Sequence, residues 1–284
     1  SGSSSWEHPT LGLEWVFVPD NPNYAFNFPN SNPICDETHV YFGGSDQFFY
    51  ALEQNTGECT WRFRVGKTPK SILSSPALHE GVVYFGAYDG NVYALDAATG
   101  TPKWVHTESD FVGSSPALAP ELGLLFIGGE YATDGNRGAL LAIALETGET
   151  IWWVPVTEYL HGSPLYLADR RQVAIGTNDG FVMLVDGETG ELVWGFQTEG
   201  EIKHGLAYDT KRGLLCFGSF DKHIYAVDVN TGECRFQFQT ENLVYATPLI
   251  VDNLLFCPST DRTMYVLDLD TGELVRRVSS FGKI

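Results

Sequence analysis

A Thr-Gly pair recurs six times along this chain: Thr56-Gly57, Thr99-Gly100, Thr147-Gly148, Thr189-Gly190, Thr231-Gly232 and Thr271-Gly272. The intervals are 43, 48, 42, 42 and 40 residues. A period near forty marks a repeat array, in which one small unit cannot bury its apolar face alone and stacks on copies of itself. The second unit is the cleanest copy. It reads Ser74-Ser75-Pro76-Ala77-Leu78, Val83-Tyr84-Phe85-Gly86, Asp89-Gly90, Val92-Tyr93-Ala94-Leu95-Asp96, Thr99-Gly100 and Trp104. Short runs of Val, Tyr, Phe and Leu punctuated by Gly, Asp and Asn predict antiparallel strands joined by tight turns. Four strands fit each unit, and no helical period competes.

The turn chemistry explains the motif. Glycine supplies the positive φ that a tight turn requires. An acid stands three residues before the Thr in five units, as Glu53, Asp96, Asp186, Asp228 and Asp268, and can accept hydrogen bonds from the turn amides. The third unit has Ala144 there, so its turn must be held differently. Five residues after the Thr stand Trp61, Trp104, Trp152 and Trp194, then Phe236, then Arg276. A large flat ring at one phase of an outer strand can wedge between neighbouring units, so contacts in the last two should be weaker.

Ala94-Leu95-Asp96-Ala97-Ala98-Thr99-Gly100-Thr101-Pro102-Lys103-Trp104 resembles the docking motif of quinoprotein-type, PQQ-like β-propellers, and the resemblance covers about residues 30–278. It implies an all-β fold: a six-bladed β-propeller of four-stranded antiparallel blades. Family dehydrogenases use pyrroloquinoline quinone (PQQ), a calcium ion, a catalytic Asp and usually a vicinal Cys-Cys pair, and they usually have eight blades. This chain has no Cys-Cys pair, so PQQ is not expected, and no cofactor is predicted.

Residues 1–12 read as a flexible tail and 13–284 as a single propeller. Leu13-Glu14-Trp15-Val16-Phe17 resembles an outer strand with no unit before it, and a strand around 13–18 is expected to close or cap the last blade, with a seventh, incomplete blade as the alternative. Two loops exceed what the repeat needs, Pro19 to Pro33 and Glu130 to Arg137, and such loops usually carry specificity.

Net charge is −19, from 36 acids and 17 bases. That argues against nucleic acid and anionic membranes and for a protein or small-molecule partner, cationic ones included. Ten of the acids flank the six turns, so bulk acidity alone carries little functional weight. The five cysteines include no CxxC, and Cys59 and Cys234 share a phase in distant units. Unbridged, mostly buried thiols and a soluble, cytoplasmic protein are the expectation.

The Ser-Pro-like segments 74–78, 114–118, 163–166, 205–208 and 247–250 are the expected innermost strands. Aligned on the Pro, the position three before it reads Leu73, Gly113, His161, His204 and Tyr245, with Ala207 replacing the fourth Pro. Six before it stand Lys70, Asp110, Glu158, Glu201 and Asn242. This alignment puts His161 and His204 at one rim, with Tyr245 next and Lys203 adjacent. Such a set could bind a metal through the two histidines or transfer protons, with Glu201 as charge partner. Lys70, Asp110, Glu158 and Tyr159 are candidate ligand-binding residues of the rim, and Tyr24, Phe26 and Phe28 a candidate aromatic lid. The other histidines, including His106, share no phase and read as surface or loop residues. The leading expectation is a non-catalytic binding module. The alternative is an enzyme of hydrolase, cyclase or lyase type built on His161 and His204.

Overall fold

A computed structural model describes residues 12, 14–19, 31–66, 71–133, 135 and 137–279. Its 24 strands form six four-stranded sheets, each antiparallel and each in simple chain order. Blade one holds β1 (Ile34–Cys35), β2 (His39–Gly43), β3 (Phe48–Glu53) and β4 (Cys59–Arg64). Blade two holds β5 (Ala77–His79), β6 (Val82–Gly86), β7 (Val92–Asp96) and β8 (Pro102–His106). Blade three holds β9 (Ala117–Ala119), β10 (Leu124–Tyr131), β11 (Arg137–Ala144) and β12 (Thr150–Val156). Blade four holds β13 (Leu165–Leu167), β14 (Gln172–Gly176), β15 (Phe181–Asp186) and β16 (Leu192–Gln197). Blade five holds β17 (Ala207–Asp209), β18 (Leu214–Gly218), β19 (His223–Asp228) and β20 (Cys234–Gln239). Blade six holds β21 (Leu249–Val251), β22 (Leu254–Ser259), β23 (Thr263–Asp268) and β24 (Leu274–Ser279). This is the six-bladed propeller that the repeat implied.

The Thr-Gly turn is the joint between blades. Its glycines lie at φ between 70° and 75°, a region that side chains disfavour. Against each glycine lies an aromatic ring of the preceding outer strand: Trp61 on Gly100, Trp104 on Gly148, Trp152 on Gly190, Trp194 on Gly232 and Phe236 on Gly272. A Cβ on Gly100 would come within 2.5 Å of the Trp61 ring, so packing as well as φ demands glycine there. Each indole also donates to the carbonyl two residues before the Thr. Trp61 Nε1 bonds to Ala97 O at 2.9 Å, Trp104 to Leu145 O at 2.8 Å, Trp152 to Gly187 O at 3.2 Å and Trp194 to Val229 O at 2.8 Å. A register shift at one phase of every outer hairpin, such as between Ala94 and Leu95, turns the outer strand toward this contact. In the third unit the backbone bond from Gly148 N to Ala144 O remains, at 2.9 Å, and only the side-chain acceptor is missing.

Five buried apolar clusters join successive blades, from one–two through five–six. Among the described residues, no such cluster joins blade six back to blade one. Blade one's free turn is instead covered by the N-terminal segment. Trp15 packs on Gly57 and donates to Gln54 O at 2.9 Å, while Phe17 meets Tyr50 edge-on at 5.0 Å. Phe63 meets Tyr93 in the same way at the joint between blades one and two, at 5.4 Å. Residues 14–19 form no strand, and these contacts lie on blade one, so the described residues do not form the expected strand on blade six.

Several acids prove structural. Asp46, Asp89, Asp221 and Asp261 accept hydrogen bonds from Tyr50, Tyr93, Tyr225 and Tyr265 four residues on. His106, expected at the surface, is buried, with Nδ1 3.1 Å from Gly148 O across the blade two–three joint. No disulfide joins any of the five cysteines, but only Cys216 and Cys257 are buried, against the expected majority, because Cys59 and Cys234 begin exposed outer strands and Cys35 ends β1.

Candidate functional site

The inner strands β5, β9, β13, β17 and β21 overlap the C-terminal ends of the Ser-Pro segments, each starting two or three residues later than the alignment put it. Backbone-to-hydroxyl bonds tie neighbouring blades near the axis. Asn32 N donates to Ser75 Oγ, Ser75 N to Ser115 Oγ, Ser115 N to Ser163 Oγ and Gly205 N to Thr247 Oγ1, all at 2.9–3.0 Å. These bonds fix the height at which each preceding residue emerges at the mouth. A cavity of about 320 Å³ opens there, and Leu73, Gly113, His161, His204 and Tyr245 all line it, together with Lys203 and Tyr88. The five residues read from one alignment column therefore share one cavity.

The other candidates divide. Glu201 pairs with Lys203, and the Lys203 ammonium also lies 5.2 Å from the Phe220 ring centre. Tyr159 packs edge-on against His161 at 6.1 Å. Asp110 accepts from the amide and hydroxyl of Thr133, at 3.0 and 2.9 Å, and so fastens the loop inserted in unit three. Glu158 is exposed, and neither it nor Asp110 lines the cavity. Lys70, Tyr24, Phe26 and Phe28 lie outside the described residues.

The rim chemistry centres on His161. Asn178 Nδ2 lies 3.2 Å from His161 Nδ1. In this amide orientation the nitrogen donates to Nδ1, and the opposite orientation exchanges the roles. Burial, helped by the nearby Lys203 ammonium, holds the His161 pKa below the ordinary histidine value. Burial and the His161 charge do the same for His204. The His204 ring meets Tyr245 edge-on at 4.2 Å, and Tyr245 remains 46% exposed.

Behind His161 stands Glu130, which the alignment did not single out. Its side chain is 3% exposed and its Oε1 lies 3.7 Å from His161 Nδ1. Oε1 has no hydrogen-bond partner among the described residues, nor has the buried Asn178 Oδ1. Burial raises the Glu130 pKa from 4.5 to about 7. The backbone of Phe111 bridges to that of Glu130. Gly113 leaves room at the mouth, since a Cβ there would stand 3.7 Å from Oε1 and 3.0 Å from the Tyr88 ring. The sequence held one clue: Glu130 opens the inserted loop of unit three, but only the fold turns it inward.

Among the described residues, no group of three or more His, Cys, Asp or Glu side chains is arranged to hold a metal ion. No helix among the described residues is long and apolar enough to cross a membrane.

Comparison with known proteins agrees with the architecture. The family model described as outer membrane protein assembly factor BamB matches residues 2–175, 113–202 and 178–278. Among solved structures, BamB from Moraxella catarrhalis is similar at 18% identity and a TM-score of 0.71, covering 89% of this chain and 75% of that one. The computationally designed Ika8 protein matches at 18% identity and a TM-score of 0.74, over 89% of this chain and 76% of that one. A europium-containing methanol dehydrogenase matches at 13% identity and a TM-score of 0.80, over 96% of this chain and 73% of that one. Such identities show a shared fold alone. No curated protein sequence matches.

Proposed function

The chain belongs to the PQQ-like repeat propeller family described as outer membrane protein assembly factor BamB, and on that premise we propose that it is a binding module that holds a protein partner at its axial mouth. An assembly factor works through other proteins, which favours a protein over a small molecule. The observation that carries the reading is the unspent hydrogen-bonding capacity of a preorganised rim. Among the described residues, His204 and Tyr245 make ring contacts with one another while their polar atoms make no hydrogen bond, and the half-exposed Tyr245 offers an aromatic face. Rigid aromatic and imidazole groups with free polar ends are effective anchors because little entropy is lost when they engage. With a net charge of −19, a basic partner surface is the better match. In this reading the module performs no chemistry and uses no PQQ.

The test is affinity capture from a source lysate with the native chain and with a His161→Ala/His204→Ala/Tyr245→Ala variant, read by quantitative mass spectrometry. A protein retained by the native chain and lost by an equally stable variant is the expected result. Identical capture by both would refute an axial binding site.

One observation favours a second reading. A carboxyl with a pKa near 7 beside a neutral imidazole is the pairing that proton-transfer enzymes use near neutral pH. Under that reading His161 is the acid–base group, Glu130 its positioning partner, and Lys203 or Tyr245 the substrate contact. A turnover abolished by His161→Ala would establish it.

A further inference from the structure

The axial cavity carries a chemical bias opposite to that of the chain around it. The protein has 36 acids and a net charge of −19. Yet among the described residues no carboxylate lines this cavity, and its one charged side chain is Lys203. The residue before the Pro, or before the Ala that replaces it, reads Asn32, Ser75, Ser115, Ser163, Leu206 and Thr247 around the axis. All but the buried Leu206 line the cavity. Each of the four hydroxyls accepts one backbone N–H from the preceding blade, at 2.9–3.0 Å. A hydroxyl also owns one proton. Among the described residues, none of the four donates a hydrogen bond in return. The backbone contacts pin these oxygens at the wall, so four unspent donors share one space. The Lys203 ammonium pairs with Glu201, but its charge is felt at His161 more strongly than that of Glu201. Glu130 stands behind His161, does not line the cavity, and is held toward its neutral form by burial.

We propose that the axial cavity binds a small oxyanion, a carboxylate or a phosphate, which the hydroxyls of Ser75, Ser115, Ser163 and Thr247 receive and the Lys203 ammonium attracts. The oxygens of such a group accept several hydrogen bonds at once, and bonds to a charged acceptor are about twice as strong as neutral ones. Donors already pinned in place lose little freedom when they engage it. A cation fits the same wall poorly. It has only protons to offer, and it would meet Lys203 and four hydroxyl oxygens that each hold a backbone N–H already. A volume of about 320 Å³ lies at the small end for ligand sites, which suits a compact group. The inference rests on the axial mouth as the binding site, but not on a protein as its occupant. The oxyanion is either a free small molecule or an acidic group carried by a partner. A basic partner surface answers the acidic exterior, while the cavity within selects the opposite charge.

The test follows the ring carbons of His161 and His204 by NMR in the full chain. Sodium acetate or sodium phosphate is added at fixed pH and ionic strength, with sodium chloride as the balance. The expected result is a saturable shift of both rings with at least one probe. Lys203→Gln should weaken that binding about tenfold or more, and Ser115→Ala/Ser163→Ala should weaken it at an unchanged urea midpoint. A shift that does not saturate, or that sodium chloride alone reproduces, means an adventitious ion only and overturns the proposal. Binding untouched by Lys203→Gln overturns it too, whatever the serine variant does to folding. Release of a captured partner by the same probe assigns the oxyanion to that partner. Saturable binding with capture unchanged in the His161→Ala/His204→Ala/Tyr245→Ala variant makes the source a free small molecule, and the protein-partner reading then fails while this one stands. A partner lost by that variant, with no saturable titration, keeps the axial site and refutes the oxyanion.

Discussion

Replacing Glu130 with Gln should make the protein more stable, and increasingly so as pH rises. The carboxyl is buried, one oxygen lacks a partner, and its pKa rises from 4.5 to about 7. Glu130 thus binds its proton more tightly in the folded than in the unfolded chain. Its contribution is fully present below about pH 4.5 and is lost as pH rises through about 7. At about 1.36 kcal/mol per pH unit the total loss is at most about 3.4 kcal/mol, of which about 2.5 kcal/mol falls between pH 5 and pH 8. Gln keeps the shape and the unmet polar atoms but cannot ionise. His161 lies 3.7 Å away, so it titrates differently beside an ionised Glu130 than beside Gln, and any imidazolium formed narrows the gap. Urea unfolding at both pH values, followed by circular dichroism, measures the gap between Glu130→Gln and the native chain. A gap that widens by about 2 kcal/mol or more toward pH 8 is expected. An equal gap at both, or a Glu130 carboxyl that titrates near 4.5 by carbon NMR, would refute the burial argument.

Two further outcomes test the packing. Trp104→Ala removes a ring seated on Gly148 and its 2.8 Å bond to Leu145 O, so a loss of about 3–5 kcal/mol is expected in urea unfolding, and under 1 kcal/mol would refute interblade docking. Burial pushes the Cys257 thiol up to about 12 and raises Cys216 further, so iodoacetamide at pH 8 should spare both in the folded chain while modifying the exposed Cys35; mass mapping of the labelled peptides reads the result, and equal labelling of all three would contradict the fold.

The candidate site was half legible before the structure. The column Leu73, Gly113, His161, His204, Tyr245 could be read because repeats put equivalent positions at equivalent heights around one axis. Glu130 and Asn178 could not be found that way, since their roles depend on neighbours from other blades that no shared phase reveals. Glu130 belongs to β10 of blade three, yet its importance comes from His161 of blade four. Asp110 shared the column of the rim acids, yet the inserted loop drew it to Thr133. Trp15 was legible as an outer-strand aromatic, but not which blade it would cover. That choice belongs to whichever turn is left without an indole, which is a property of the assembled array.

The sequence by itself determined the local and the periodic. Thr-Gly turns, strand alternation and the docking aromatics each depend on residues within one unit or on one fixed offset, and six copies state them redundantly. Only the tertiary structure decided the singular features: the inward carboxyl of Glu130 and the capped turn of blade one. Each depends on the one place where a neighbour differs or is missing, and burial is set there by long-range packing that no repeat period encodes.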